Sequence, residues 1–218
     1  MMRLRMQQMA KLIAASAVRE LSVAQRRPLH LVDIGEGPAM DAIDALILLA
    51  QPSRELLKRP IVIHVLDLDD TGAFFGQAAL AELKRAGGQL HGFNIELRHQ
   101  DYNWRATALL EELMQDLISR DAVIIAASEG GLFEYGSDED IVANLVALRA
   151  GGRGARCVVG SVTRADELRR RMIAESRFNL FPRGIEGFAP LAAKAGFKIA
   201  ETRTIVWSDQ VALLPEPL

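Results

Sequence analysis

The sequence predicts an α/β domain built on a mostly parallel sheet. Three observations carry this reading. Apolar runs of strand length alternate with segments whose apolar residues recur at helical spacing. The run at 122–127 is apolar throughout, as in a central parallel strand covered on both faces. The last two apolar runs are joined by a link too short for a crossover helix, so they must pair antiparallel.

Element by element, Met6, Met9, Ile13, Ala17 and Leu21 define one face of a leading helix. Arg3, Arg5 and Lys11 ahead of the apolar stretch 12–18 offer a weak secretory-signal reading. Ser16 within that stretch and Arg19-Glu20 after it favour the helix. Residues 29–34 form a buried strand running into Gly35-Glu36-Gly37-Pro38, with Pro38 expected in the first turn of the next helix. That helix aligns Ile43, Leu46, Ile47 and Ala50 and ends before Pro52. A second strand, 61–66, ends in Asp67-Leu68-Asp69-Asp70, and a helix through 78–84 closes at Gly87-Gly88. Phe93, Ile95 and Leu97 alternate with Asn94, Glu96 and Arg98, which marks a strand with one wet face. After the 122–127 strand, Ile141, Leu145 and Leu148 set a helix capped by Gly151-Gly152, and 157–162 is a fifth strand. A helix near 187–195 precedes the hairpin of 198–206 and 210–214.

The chain has 218 residues, half of them hydrophobic, enough for a sizeable core. Twenty-six Lys and Arg against 28 Asp and Glu give a formal charge of -2, which carries no basic footprint for nucleic acid. The single cysteine, Cys157, excludes an internal disulfide and suits a reducing, cytoplasmic setting. No segment approaches the length of a membrane span. Four histidines and one cysteine show no metal-ligand spacing, so no metal site is expected. Nothing here separates a monomer from a homodimer.

In open α/β sheets, ligands bind outside the carboxyl ends of the strands where the strand order reverses. The turn 33–39, Asp-Ile-Gly-Glu-Gly-Pro-Ala, stands at such a strand end. A dinucleotide fingerprint would require Gly or Ala where Met40 stands, and Asp33 and Glu36 would repel a pyrophosphate. The same acids would attract the sulfonium and ammonium of S-adenosylmethionine.

Residues 31–39, an apolar strand leading into acid-x-Gly-x-Gly, resemble the first motif of class I S-adenosylmethionine-dependent methyltransferases, with Ala39 in place of a third glycine. Val65-Leu66-Asp67-Leu68-Asp69 is similar to the second motif, whose acid accepts from the ribose hydroxyls; Asp67 fits better than Asp69. His99-Gln100-Asp101-Tyr102 matches the place where an acid lies near the adenine amine, and 121–130 resembles the fourth-strand motif facing the acceptor. The likeness covers 29–214 and implies a three-layer Rossmann-like sandwich with sheet order 3-2-1-4-5-7-6. It divides the chain into an N-terminal helical extension, 1–27, and a methyltransferase-like domain, 28–218. It implies a cofactor, S-adenosyl-L-methionine, held by Asp33, Gly35, Gly37, Asp67, Leu68, Asp101, Tyr102 and Ser128, and a small-molecule acceptor. The leading helix lies where additions in relatives often cover the acceptor site.

Methyl transfer needs alignment above all, and a hydroxyl or ammonium acceptor must also lose a proton. Glu129, just past the fourth strand, is the candidate base; as a turn carboxylate it would do no chemistry. Read as function, the acids of 128–140 would form a rim favouring a cationic or neutral acceptor; Ser137 or Asp138 caps the next helix and Asp138 to Asp140 suit its first turn, which leaves Glu129 and Glu134 open. Tyr102, Trp104, Phe133 and Tyr135 are candidates to line a pocket, Trp104 rather as a core plug, and Phe178, Phe181 and Phe188 to shape the acceptor side. His64 reads as packed core, and Arg164 and Arg169 to Arg171 as a solvated helix face. Two rivals remain: a non-catalytic scaffold of the same fold, and a nicotinamide-dependent oxidoreductase, which the turn disfavours.

Overall fold

A computed structural model describes residues 2–24, 26–150, 154–176 and 178–217. A seven-stranded sheet runs through it in the order β3-β2-β1-β4-β5-β7-β6. The strands are β1 (Leu29–Ile34), β2 (Ile61–Asp67), β3 (Ile95–Asp101), β4 (Val123–Ser128), β5 (Cys157–Thr163), β6 (Phe197–Thr204) and β7 (Ser208–Pro215). The first five are parallel, and β7 pairs antiparallel with both β5 and β6. The strand order and the terminal hairpin are those expected from the sequence.

Among the described residues, eight α-helices flank the sheet: α1 (Met2–Val23), α2 (Met40–Ala50), α3 (Asp70–Lys84), α4 (Ala108–Ser119), α5 (Leu132–Tyr135), α6 (Asp138–Leu148), α7 (Glu167–Glu175) and α8 (Gly184–Lys194). Side chains alternate across a strand, so the sheet divides the apolar residues into two cores. Leu29, Leu31, Ile63, Ile125 and Val159 pack under α1, α2 and α3. Val32, Ile34, Ile124, Val158 and Leu213 pack under α4, α6 and α8. The amphipathic face of α1 (Met9, Leu12, Ile13, Ala17, Leu21) is buried against α2, β4, β5 and β7. Ser16, which interrupts that apolar stretch, donates to Cys157 Sγ at 3.1 Å.

Several boundaries differ from those read in the sequence. Helix α2 starts at Met40 after Ala39, which adopts a left-handed conformation (φ 51°), so Pro38 lies in the turn and not in the helix. Helix α3 begins at Asp70 because Asp69 caps it, accepting from the Thr71 N–H at 2.8 Å. Phe93 is buried ahead of β3, whose alternating exposure marks it as a sheet edge. Ser137 and Asp140 form the expected capping box on α6, and Gly151-Gly152 lies outside the described residues. At the opposite edge, β6 carries Lys198, Glu201 and Arg203 and a register shift, features that blunt an open strand.

One core feature is polar. His30 on β1 and His64 on β2 stack with their ring nitrogens 2.9 Å apart, both buried. Desolvation lowers each imidazole to about 4, assisted at His64 by the neighbouring ring. A depressed histidine pKa means that the unfolded chain binds more protons below 6.5. The pair's contribution is therefore fully present above pH 6.5 and is lost as the pH falls toward 4. By pH 5 the loss is about 2 kcal/mol for each ring. Urea midpoints at pH 7 and pH 5 should fall further for the wild type than for His30→Leu/His64→Leu, the difference isolating the pair from other titrating groups.

Candidate functional site

The switch in strand order falls between β1 and β4, and the glycine turn emerges there. Gly35 and Gly37 have φ of 70° and 60°, conformations that a side chain strains. The Gly35 N–H donates to the Leu66 carbonyl at 2.9 Å and the Gly37 N–H to Asp67 Oδ2 at 3.0 Å, fastening the turn to the end of β2. Helix α3 closes over it through Gly76, where a Cβ would collide with the Pro38 carbonyl.

Beneath the turn lies a carboxyl cluster. Asp33 is wholly buried with neither oxygen partnered among the described residues, and Asp33, Glu36 and Asp41 each present an oxygen within 4.8 Å of the others. Burial, reinforced by the neighbouring acids, raises Asp33 and Glu36 well above the usual carboxylate range, and burial raises Asp41. Glu36 hydrogen-bonds Asp41 and accepts from the Glu129 N–H. The acids of the turn are therefore biased toward their neutral forms, unlike the free charges that the sequence suggests.

A cavity of about 160 Å³ opens beside the turn, lined by Gly35, Asp67, Leu68, Tyr102, Trp104 and Gly131 among others. That is below the usual range for a cofactor site, ~300–1,000 Å³. Trp104 narrows it on one side, its ring packed so closely over Gly35 that a Cβ there would lie 2.7 Å from it. Asn144, fully buried on α6, holds the wall: it accepts from the Tyr102 hydroxyl at 2.5 Å and donates to the Trp104 carbonyl at 2.7 Å. Sequence reasoning missed Asn144, which looks like any polar residue in an amphipathic helix.

Of the sequence candidates, Gly35, Asp67, Leu68 and Tyr102 share this cavity, with Gly37 fastened to Asp67. Asp67 also accepts from the Asp69 N–H at 3.1 Å through Oδ1. Asp101 ends β3 in solvent, next to Asp67 in register but outside the cavity lining. Ser128 is buried, donating to the Ile34 carbonyl and accepting from the Leu132 N–H, both at 2.9 Å, and so braces the strand ends. Asp33 lies below the turn, not in the lining.

Glu129 sits at the end of β4, half-buried, in an ion pair with Arg5 of α1. The same guanidinium reaches Glu134 at 3.2 Å. Glu134 is 3 % exposed, so it belongs to a neutralised pair and not to an acidic rim. Phe133 and Phe188 are core, their rings 4.7 Å apart, and Phe133 fills the space over Gly160. Arg169, read as solvated, is 4 % exposed.

Burial raises Glu129 to about 7, against the opposing charge of Arg5. Carbon-detected titration of Glu129 should give a midpoint near 7 in the wild type. In Arg5→Met the midpoint should move higher still, because the one adjacent cation is gone; an unmoved midpoint would separate the two groups.

Comparison with solved structures places this architecture. Magnesium protoporphyrin IX methyltransferase from Synechocystis, with bound S-adenosylhomocysteine, superposes with a TM-score of 0.59 at 15% identity, over 98% of this chain and 84% of that one. An O-methyltransferase from neocarzinostatin biosynthesis, in complex with S-adenosylhomocysteine and 1,4-dihydroxy-2-naphthoic acid, gives 0.54 at 17%, over 85% and 49%. A protein from Methanosarcina mazei described as an S-adenosylmethionine-dependent methyltransferase gives 0.52 at 11%, over 89% and 95%. The chain thus spans about half the length of the antibiotic-pathway enzyme. No protein-family model and no curated protein matches the sequence. The chain has the Rossmann-like fold of the class I S-adenosylmethionine-dependent methyltransferases.

Proposed function

We propose that the protein is an S-adenosylmethionine-dependent methyltransferase acting on a small molecule. The observation that carries this reading is the turn at the switch point: two glycines at positive φ beside a cluster of three carboxyl groups, Asp33 and Asp41 buried and Glu36 half-buried, with Asp33 and Glu36 well above their ordinary pKa. Such a cluster favours a ligand bearing positive charge close to the turn and disfavours a pyrophosphate. Asp67 and Leu68 lie in the same cavity, where a ribose and an adenine would find a carboxylate and an apolar surface. The fold likeness agrees with this reading.

When bound, the donor supplies an electrophilic methyl group, and the chain's residues supply position and proton acceptance. The backbone of the turn and Asp67 would hold the donor, Tyr102 and Trp104 would wall it off from water, and Glu129 would take the acceptor's proton. A carboxylate near pKa 7 is suited to that role at neutral pH. Glu129→Gln should lower turnover by roughly two to four orders of magnitude with donor affinity nearly unchanged. Unchanged turnover, measured once an acceptor is in hand, would reduce Glu129 to a partner for Arg5.

The donor assignment can be tested sooner. S-Adenosylmethionine and S-adenosylhomocysteine should both raise the melting temperature, by up to about 2.7 kcal/mol of stabilisation at a hundredfold excess over Kd, while nicotinamide dinucleotides should not. A shift with the dinucleotides alone would overturn the reading. The carboxyl cluster adds a sharper signature. A cation bound beside protonated acids lowers their pKa, so S-adenosylmethionine should bind with proton release and more tightly as the pH rises. Calorimetry at one pH in phosphate and in Tris should give different apparent heats. The difference should be smaller for S-adenosylhomocysteine, whose sulfur is neutral, and equal heats in the two buffers would contradict the electrostatic account.

A further inference from the structure

Arg169 is a buried charge that the donor site does not use. It stands in the first turn of α7, where its N–H is capped by Asp166 Oδ1 at 2.9 Å. Its guanidinium carbon lies 3.4 Å from the centroid of the Trp207 ring, and stacking of that kind fixes the plane of the fork. Nη1 donates to Met172 Sδ at 2.9 Å. Nε and Nη2 are buried and have no partner among the described residues. Those two nitrogens form one edge of the guanidinium, the edge that grips a carboxylate with two parallel hydrogen bonds. Leaving a charged donor pair buried without an acceptor is costly, and a ligand carboxylate removes that cost.

Arg169 lines a second cavity, of about 210 Å³, with Met172, Ile173, Phe178, Leu180 and Trp207. The size decides the class of ligand: an apolar cavity of ~150 Å³ holds benzene. Arg5 and Glu134 also line it, and Arg5 is the cation that pairs with Glu129. Arg5 also lies against Gly130, which lines the donor cavity, so one guanidinium borders this cavity, the candidate base and the donor site.

We propose that this cavity receives the methyl acceptor and that the acceptor is a monocyclic aromatic acid, its carboxylate on Nε and Nη2 of Arg169 and its ring among Met172, Phe178 and Trp207. The word acceptor rests on the methyl-transfer reading above; the binding does not.

The test is calorimetric titration of the full-length protein with benzoate, salicylate and benzamide, alone and with S-adenosylhomocysteine present. The acids should bind about tenfold or more tighter than the amide. Arg169→Gln should erase that preference, and Arg169→Lys should restore little of it, since an ammonium has no fork. Phe178→Ala, a change at an exposed wall residue that the fold does not need, should weaken acids and amide alike. Four results would overturn the assignment: no binding of either acid, equal binding of acid and amide, an undiminished preference in Arg169→Gln, or unchanged affinities in Phe178→Ala. S-Adenosylhomocysteine binding should survive Arg169→Gln. Acids that bind to a protein with no affinity for S-adenosylhomocysteine would leave the receptor standing and remove the methyl-transfer reading; the reverse pattern would remove the receptor alone.

Discussion

The left-handed turn at 35–39 is the constraint from which the cleft follows. A chain leaving β1 must reverse into α2 within five residues, and it does so through positive φ at Gly35, Gly37 and Ala39. Each amide that this exposes is then spoken for by a neighbour: Gly35 by the Leu66 carbonyl, Gly37 by Asp67. The end of β2 is thereby placed by the turn, and Tyr102, whose N–H donates to the Asp67 carbonyl at 3.2 Å, is placed by β2. The side of the cleft carrying Asp67, Leu68 and Tyr102 is built outward from one backbone conformation. A substitution at Gly35 would act on all of it at once, because its Cβ would meet the Trp104 ring and its φ would be strained.

The electrostatics are governed by burial more than by the count of acids. Asp33, Glu36, Asp41, Glu129 and Glu134 give this region five carboxyl groups, which in water would form a strongly negative surface. In the fold, desolvation raises the pKa of all five. Arg5 offsets the remaining charge on Glu129 and Glu134. The site thus holds protons in reserve: a cation near the turn meets a carboxyl that can ionise, and a proton leaving an acceptor meets Glu129 near its midpoint. Neither property exists in an exposed cluster, where each acid would be fully ionised at neutral pH.

How much of this is legible in the sequence follows from what each feature depends on. The sheet and its layers are readable because they rest on local periodicity: β3 alternates, β4 is apolar throughout, and the link at 205–207 is too short to cross over. The glycine turn is readable because left-handed backbone needs glycine. Partnerships across the fold are not. Nothing near Arg5 announces Glu129, which lies over a hundred residues away, and Arg169 sits between Leu168 and Arg170 in a run that also contains Asp166 and Glu167. Its neighbours in sequence describe a wet helix; its neighbour in space, Trp207, comes from the hairpin loop. Asn144 is hidden for the same reason, since its partners Tyr102 and Trp104 belong to another loop.

The leading helix links stability to the site. The face of the sheet over β4, β5 and β7 is apolar at Ile125, Cys157, Val159 and Ala212, and α2 and α3 lie over β1, β2 and β3. Helix α1 supplies the missing cover with Met9, Leu12, Ile13 and Ala17, side chains worth roughly 1.5–3 kcal/mol each for the larger ones when fully buried. Because that packing fixes the axis of α1, it also fixes where Arg5 points, one turn before Met9. The guanidinium then bridges Glu129 and Glu134 and lines the cavity that Arg169 shares. Two requirements, covering bare sheet and countering buried carboxylates, are met by one helix, so a change that loosened its packing would also release the charge on Glu129. The pKa of Glu129 and the docking of α1 are in this sense a single equilibrium: undocking the helix lets water reach the carboxylate and lowers it toward its ordinary value, so ionising Glu129 as the pH rises through about 7 works against docking, and the ion pair with Arg5 offsets part of that cost.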